Sequence, residues 1–420
     1  MSLTARGYHV LAAKFAAVAV GYAFVAFLSR RLDAPAFGQV AFFLSFAALI
    51  SVIGGRGQHM AVLRFVPGSG PQAAAIFAAA RRRAAAGTAA TALVLLALAL
   101  GLRAAGLLAG FGWPVLALGM SLGAVAGWSD FVAHRARAAG RILLSILPKE
   151  VVWRLLALAV LAASWPLVPP GQASALAVLA LLILLLAALN IGVSAVLPAL
   201  PGADGAPPPE WRRASGPFWL SSVSGVFLAH ADVAVVGVLL GPAEAGLYFV
   251  ANRLAQVLGY FMVSQNVVIA PELARAHQSG DRDALGLIGR RATRAMSWPT
   301  LIAGAALWAA AGPVLSLFDP GFAEAAPVLR WLVLAACLNA ATGPGDIVMN
   351  MSGHERAAMR VAAAALAASA LLLPLGAAAA GAEGVALAVL AATALRKLAY
   401  SAALWSRLGL RVDIFAGVPA

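Results

Sequence analysis

The sequence has few charged residues and one cysteine, and each scarcity excludes a class of protein. Charged residues make up 11% of the 420 residues, whereas soluble domains carry roughly 25%. Cys337, the one cysteine, lies in an apolar stretch and can form neither an intramolecular disulfide nor a zinc–cysteine cluster. With 62% hydrophobic residues and a mean hydropathy of +0.90, the composition indicates an integral membrane protein.

The sequence also lacks the motifs of common catalytic sites. It contains no Walker A sequence, no nucleophile elbow, and no cluster of His, Cys and acidic residues at metal-ligand spacing. We therefore expect that the protein is not an enzyme, that it has no cofactor or metal, and that it does not draw energy from ATP.

Long apolar runs are abundant. A membrane-spanning helix needs ~20 apolar residues, and we predict an all-α protein whose spans are 8–29, 37–63, 84–102, 107–133, 142–164, 174–197, 215–240, 246–270, 293–318, 324–350, 358–376 and 384–406. The Pro- and Gly-rich segment 198–214 is predicted to be a cytoplasmic linker. It would separate two six-helix bundles, residues 1–197 and residues 215–420, the second of which ends in a short cytoplasmic tail.

The net charge of +14 is explained by the membrane and not by a nucleic-acid partner. Basic residues accumulate in cytoplasmic loops of membrane proteins. If the N-terminus is inside, the outside loops hold only Arg30, Arg31, Arg103 and Arg330. We therefore predict that both termini are cytoplasmic. The Ala-, Gly- and Arg-rich, Lys-poor residue usage favours a bacterial source, hence an inner membrane.

One short segment occurs twice. Residues 33–38 (Asp-Ala-Pro-Ala-Phe-Gly) and 241–246 (Gly-Pro-Ala-Glu-Ala-Gly) lie 246 − 38 = 208 positions apart, nearly half the chain, and each lies between apolar stretches. Transporters are often built from such repeats, with the substrate site near the bilayer midplane. The duplication favours a transporter.

Basic residues inside apolar spans suggest a site for an anion. A charge in the bilayer is costly and usually faces a cavity. Lys14, Arg56 near the middle of the second span, and Arg253 could meet in a central cleft and bind a diphosphate, Arg by its bidentate fork. Arg154 is a further candidate.

Structural roles compete with each of these assignments. Lys14 could snorkel to the inner interface, and Arg56 could serve the helix itself. Arg253 could pair with Glu244, and Glu150 could pair with Arg154 at i, i+4.

Two acids inside spans are candidates for a coupling cation, Na⁺ or H⁺. Asp232 follows His230 in the seventh span, and a structural hydrogen bond is an equal explanation for the carboxylate. We interpret His230 as a packed histidine. Asp346 follows Gly343-Pro344-Gly345, which we expect to break the tenth span.

Several motifs resemble one family of exporters. The turn at 31–38 is similar to its L-G-x-x-x-x-G, and 239–254 is similar to its L-G-x-x-x-A-G-x-Y-x-x-A-x-R-L. Pro271 with Gly280-Asp281, Leu315–Phe318 and Phe322, and Asn350–His354 also resemble it. The family is the multidrug/oligosaccharidyl-lipid/polysaccharide (MOP) exporter superfamily, and the branch most similar is that of O-antigen and exopolysaccharide flippases.

The resemblance implies two six-helix bundles related by a pseudo-two-fold axis, V-shaped as in MATE transporters. It implies export of an oligosaccharide linked to a polyprenyl diphosphate of the undecaprenyl type, for lipopolysaccharide or exopolysaccharide, with a polymerase or glycosyltransferases as partners. Basic residues of helices 1, 2 and 8 bind the diphosphate in related flippases, and Lys14, Arg56 and Arg253 stand at similar places. An organic-cation antiporter of the same fold and a non-transporting scaffold are the alternatives.

Overall fold

The protein is helical throughout the part of the chain described by the computed structural model, which covers residues 3–67, 70–167, 174–200 and 209–416. The helices are α1 Leu3–Ser29, α2 Ala34–Gly55, α3 Gln58–Phe65, α4 Ala73–Ala104, α5 Trp113–Ala138, α6 Ile142–Leu147, α7 Trp153–Ser164, α8 Ala175–Val196, α9 Pro209–Leu239, α10 Pro242–Val257, α11 Gly259–Gln278, α12 Arg282–Ala309, α13 Ala311–Ser316, α14 Ala326–Ala341, α15 Gly345–Met351 and α16 Glu355–Leu408. The predicted all-α class is confirmed.

Each predicted span overlaps a helical stretch. Among the described residues, seven helices are long and apolar enough to cross a membrane, judged by length and composition: Ala34–Gly55, Ala73–Ala104, Trp113–Ala138, Ala175–Val196, Ser215–Leu239, Pro320–Met351 and Glu355–Leu408. The other predicted spans correspond to shorter or less apolar helices, of which α1 contributes the apolar stretch Ala13–Ser29. The protein is therefore a multi-pass membrane protein.

Helix α16 contains two of the predicted spans. Ala380 and Gly381 have non-helical backbone angles, with φ of −148° and +58°. On either side of this break the backbones of Gly376 and Gly384 touch, because a Cβ at Gly376 would lie 2.3 Å from the carbonyl oxygen of Gly384. The chain thus turns back on itself at 380–381, within the loop predicted at 377–383.

A π-helical turn, Pro148–Val152, interrupts the fifth predicted span between α6 and α7. Pro148 has no backbone N–H and clashes with the regular helical path, and a π turn is one way in which a helix accommodates such a disruption. This turn is not among the elements predicted from the sequence. It carries Lys149 and Glu150, two charged residues of the site described below.

The described residues form two compact units, Met1–Gly246 and Leu247–Ala420. In the first, α2 packs against α4, α5 and α9, and α5 packs against α8. In the second, α11 packs against α12, and α14 packs against α12 and α16. The second unit has a core around Leu273, Val348, Met349 and Leu404.

The linker region differs in part from the sequence-based division. Residues 201–208 lie outside the described residues, but 209–214 form the first turns of α9, and Trp211 is buried beneath the guanidinium of Arg83. Proline is well tolerated in the first turn of a helix, which allows α9 to begin at Pro209. The division into bundles at 197 and 215 stays a prediction.

The two copies of the repeated segment contact each other inside the first unit. A Cβ at Gly38 would lie 1.7 Å from the carbonyl oxygen of Pro242, and one at Gly246 would lie 3.1 Å from the Cα of Gly38. Gly110 is also close to the Pro242 ring, and Gln39 donates a hydrogen bond to the Gly110 carbonyl oxygen at 2.8 Å. Glycine is needed at these positions because neighbouring atoms fill the space of a side chain.

Candidate functional site

The helix carrying Arg56 ends at that residue, which corrects the prediction that Arg56 lies near the middle of a continuous span. Arg56 is the C-cap of α2 in the left-handed conformation (φ 48°, ψ 34°), and Gly57 follows at φ 71° before α3 begins. Glycines 54, 55 and 57 lower the helix propensity of this stretch. Two carbonyl oxygens at this helix end accept side-chain hydrogen bonds: Trp219 Nε1 donates to that of Ile53 at 2.9 Å, and Gln58 Nε2 donates to that of Arg56 at 3.0 Å.

The side chain of Arg56 runs beside α4 and is exposed. A Cβ at Gly87 would lie 3.2 Å from its Cδ and Nε atoms, so the absence of a side chain at Gly87 leaves room for the arginine stem. Within the part of the chain that the structure describes, its guanidinium has no hydrogen bond or ion pair. Its five N–H donors are therefore available to an anionic ligand.

Lys14 and Arg154 lie together, around Glu150 of the π turn. Lys14 Nζ contacts both carboxylate oxygens of Glu150, at 2.6 and 2.8 Å. Arg154 donates to the backbone oxygen of Glu150 and covers the Trp153 ring at 4.6 Å. The Glu150 carboxylate thus pairs with Lys14 of α1, and the expected Glu150–Arg154 carboxylate pair stays a prediction.

Arg253 belongs to the second unit. It lies in α10 over the Phe249 ring at 5.0 Å and is half-buried. Its neighbours Asn252 and Gln256 are hydrogen-bonded to each other at 2.7 Å. The convergence of Lys14, Arg56 and Arg253 in one cleft stays a prediction.

The two candidate acids have different surroundings. Asp232 in α9 is buried, at 5% exposure, and its carboxylate accepts from the backbone N–H of Val233 at 2.8 Å. Its neighbour His230 is half-buried. Asp346 is half-buried in the first turn of α15, after the predicted break at Gly343-Pro344, which the structure confirms.

A lysine that was not predicted to be a site residue lies close to Asp346. Lys397 in α16 is 5% exposed, and its Nζ donates to the carbonyl oxygen of Gly343 at 2.7 Å. Asp346 and Arg396 are charged neighbours of this amine, and Arg396 donates to the Asn339 side chain at 3.3 Å. The broken helix α14–α15 thus presents a backbone carbonyl to a buried cation, as interrupted membrane helices do.

A second polar cluster, also missed, lies within the first unit. Asp130 of α5 forms an ion pair with Lys149 and accepts a hydrogen bond from the Ser51 hydroxyl. His134, one turn later, contacts the ring of His59 from α3, with ring centroids 4.9 Å apart. We name Ser51, His59, Asp130, His134 and Lys149 the Asp130 cluster. Among the described residues, no group of three or more His, Cys, Asp or Glu side chains is placed to hold a metal ion.

The sequence contains a signal for this cluster. Asp130 and His134 lie four residues apart in an apolar stretch, hence on one face of a helix. Ionisable residues in such a stretch are functional candidates. Their partners Ser51 and Lys149 come from other helices, and only the fold brings them together.

Comparisons with solved structures place this arrangement of helices among known transporters. An inward-facing structure of a multidrug resistance MATE family transporter of the MOP superfamily matches at TM-score 0.69 with 14% identity, covering 93% of this chain and 94% of that one. The lipid II flippase MurJ, in an inward closed conformation, matches at TM-score 0.69 with 12% identity, covering 95% and 87%. A mutant form of the Vibrio cholerae MATE transporter VcmN matches at TM-score 0.58 with 17% identity, covering 96% of each chain.

At the level of sequence, no family model matches and no curated protein matches. Identities of 12–17% support likeness of fold alone. The superfamily expected from the motifs is nevertheless the one to which these structures belong. The chain therefore has the fold of the MOP superfamily transporters.

Proposed function

We propose that the protein is a flippase that moves a polyprenyl-diphosphate-linked oligosaccharide, such as an O-antigen or exopolysaccharide repeat unit, across the bacterial inner membrane by alternating access. The observation that carries the proposal is the exposed Arg56 guanidinium, held at a helix break without a partner among the described residues. An arginine inside a membrane protein without a carboxylate is costly, and a diphosphate ligand offsets that cost. The fold shared with a lipid II flippase supports this substrate class.

In this proposal, four basic residues contribute unequally to binding of the diphosphate. Arg56 and Arg253 supply bidentate donors to the diphosphate oxygens. Lys14 and Arg154 surround Glu150, whose carboxylate neutralises part of their charge, so they contribute a weaker attraction. The lipid tail stays in the bilayer while the headgroup crosses.

The energy source belongs to the proposal as well. Asp232 and Asp346 are the proposed sites for a coupling cation, Na⁺ or H⁺, because carboxylates inside a membrane protein favour a bound cation. A membrane potential would also favour movement of an anionic headgroup outward. Both termini are cytoplasmic in this proposal, and polymerases and glycosyltransferases of glycan assembly act on the exported unit and its precursor.

One observation favours a second function, an antiporter for organic cations. Asp232 is 5% exposed in an apolar helix, and a buried carboxylate is the group that would attract a cationic drug. Two of the similar structures are MATE transporters, and the first of these is described as a multidrug resistance transporter. If the protein is an antiporter, transport requires Asp232 and is unchanged when Arg56 is substituted.

The two functions are separated by deleting the gene and analysing the accumulated polyprenyl-diphosphate lipids by mass spectrometry. Complementation uses Arg56→Ala, Arg253→Ala and Arg56→Lys, with Arg82→Ala, an exposed arginine of α4, as the matched control. Loss of a charge-assisted hydrogen bond costs about 1.5–3 kcal/mol, so each Ala variant should lower export about 10- to 100-fold. Lys should restore part of it.

Accumulation of one lipid-linked oligosaccharide on the inner leaflet identifies the flippase and its sugar. Full export by both Ala variants contradicts an anion site at these arginines. If no lipid accumulates and the deletion strain becomes sensitive to cationic drugs, the antiporter is the better account.

A further inference from the structure

Two histidines from different helices touch within the Asp130 cluster, which the proposed headgroup site does not use. The rings of His59 on α3 and His134 on α5 lie at 66° to each other with centroids 4.9 Å apart. Both side chains are half-buried. The adjacent Asp130–Lys149 ion pair and the Ser51 hydroxyl connect these rings to α2 and the π turn.

The hydrogen bonding of His134 shows where a proton would bind. Its Nδ1 atom lies 2.7 Å from the backbone oxygen of Asp130. A carbonyl oxygen only accepts hydrogen bonds, so Nδ1 carries the hydrogen in the neutral ring and Nε2 keeps its lone pair. An arriving proton therefore binds at Nε2 of His134 or at the unprotonated nitrogen of His59.

The charges around the rings limit the pair to one proton. Asp130 and Lys149 neutralise each other, and Arg137 adds a positive charge on the same helix as His134. From α9, the Ser222 hydroxyl lies 3.5 Å from His59 Nε2. Two imidazolium rings at this distance would repel each other, because their partial burial weakens the screening of charge by water.

We infer that the His59–His134 pair is a binding site for a single proton, and that this proton drives the transport proposed above, on which the second half of the inference rests. The site is separate from Asp232 and Asp346. A small cavity between α5, α6 and α8 lies beside Lys149, the ion-pair partner of Asp130.

The π turn connects the histidine pair to helix α1. An imidazolium beside Asp130 competes with Lys149 for the same carboxylate. Glu150, the next residue, holds Lys14 of α1. Lys149 and Glu150 are adjacent in the chain, so a displacement of Lys149 also displaces the contact of Glu150 with α1. Helix α1 contributes to the proposed headgroup site.

Proton binding is measured by solid-state ¹⁵N NMR of the full-length protein in liposomes, with ¹⁵N-labelled histidine. In the wild type, a through-space correlation between the two imidazole rings identifies the signals of the pair. Loss of the corresponding signals in His59→Gln and His134→Gln verifies the assignment. As the pH is lowered from about 8 to about 4, we expect the two rings together to take up one proton and give one imidazolium. Two imidazolium signals, or none, overturn the inference.

Transport is measured with a fluorescent polyprenyl-diphosphate disaccharide in liposomes under an imposed pH gradient. We expect a gradient of about two pH units to change the wild-type rate about tenfold. His134→Gln, which keeps an N–H donor for the Asp130 carbonyl, should remove this response. His277→Gln, at an exposed histidine of α11, should retain it.

The outcomes separate the two proposals. If the wild type translocates the lipid but ignores the gradient, or if His134→Gln responds like the wild type, the coupling inference is wrong and the flippase stands. If the wild type translocates nothing under any gradient, the flippase is wrong, and the NMR result alone decides whether the histidine pair binds a proton.

Discussion

Arg56 occupies a backbone conformation that arginine rarely adopts. At φ 48° the Cβ atom of an L-residue approaches its own carbonyl oxygen, at a cost of roughly 1–2 kcal/mol. Among the described residues it is the only non-glycine with positive φ. Strain of this kind is retained where the side chain is needed, which agrees with a role for the guanidinium beyond packing.

This strain leads to a prediction at the residue scale. Asn tolerates the left-handed region better than Arg, so Arg56→Asn should raise stability by on the order of 0.5 kcal/mol while it lowers transport. The thermal unfolding midpoint in detergent measures the first effect, and complementation measures the second. Arg64→Asn, in the last turn of α3, should lower the midpoint, because Asn is a poorer helix former than Arg.

A lower midpoint for Arg56→Asn would mean that the arginine stem contributes packing that outweighs its backbone strain. Unchanged transport would remove Arg56 from the proposed binding site.

Single residues were only partly predictable from the sequence. Lys14, Arg56 and Asp232 were recognised because each interrupts an apolar stretch. The partner of Lys14 was not, because Glu150 is 136 residues away and reaches it through the packing of α1 on the π turn. Asp130 was missed although it interrupts a stretch in the same way.

At the scale of helices, the breaks have different causes. α14 and α15 are separated by Gly343 and Pro344, and such a break can be read from residue types. The break after α2 depends on tertiary contacts. A Cβ at Gly57 would lie 2.4 Å from the Ser215 carbonyl oxygen, so α9 passes directly over the turn. The sequence showed the glycines but not the helix that packs on them.

We therefore expect neighbouring glycines to respond differently to alanine. Gly57→Ala should destabilise the protein by about 2 kcal/mol or more, because it combines positive φ with a backbone clash. Gly55→Ala is the control, since a Cβ there would have ordinary contact with His59 at 3.7 Å. The thermal unfolding midpoints of the two variants are compared in detergent. Equal midpoints would contradict the left-handed turn.

At the scale of the whole chain, the repeated segment makes a prediction about packing. Gly38→Ala places a methyl group 1.7 Å from the Pro242 carbonyl oxygen, and neither backbone can move away cheaply. Overpacking costs typically about 1–3 kcal/mol, and we expect a loss at the upper end, seen as less folded protein on size-exclusion chromatography in detergent. Gly21→Ala in α1, where open space surrounds the site, should behave like the wild type. A folded, stable Gly38→Ala would show that the two segments do not touch.

The orientation in the membrane is tested independently of transport. Because basic residues mark cytoplasmic loops, green fluorescent protein fused after residue 416 should fluoresce, and alkaline phosphatase fused there should be inactive. Alkaline phosphatase fused at the 380–381 turn of α16 should be active. The reverse pattern would invert the topology and move the arginine-rich N-terminal turns of α4 to the outside.

The contact between Gly38 and Pro242 also limits which substitutions the two segments can accept. After a duplication, each copy of a segment is usually free to drift by itself. Here each copy is the surface against which the other packs, so a larger residue in one is tolerated only with a compensating change in the other. We therefore expect the stretches 33–38 and 241–246 to accept larger residues only as a pair.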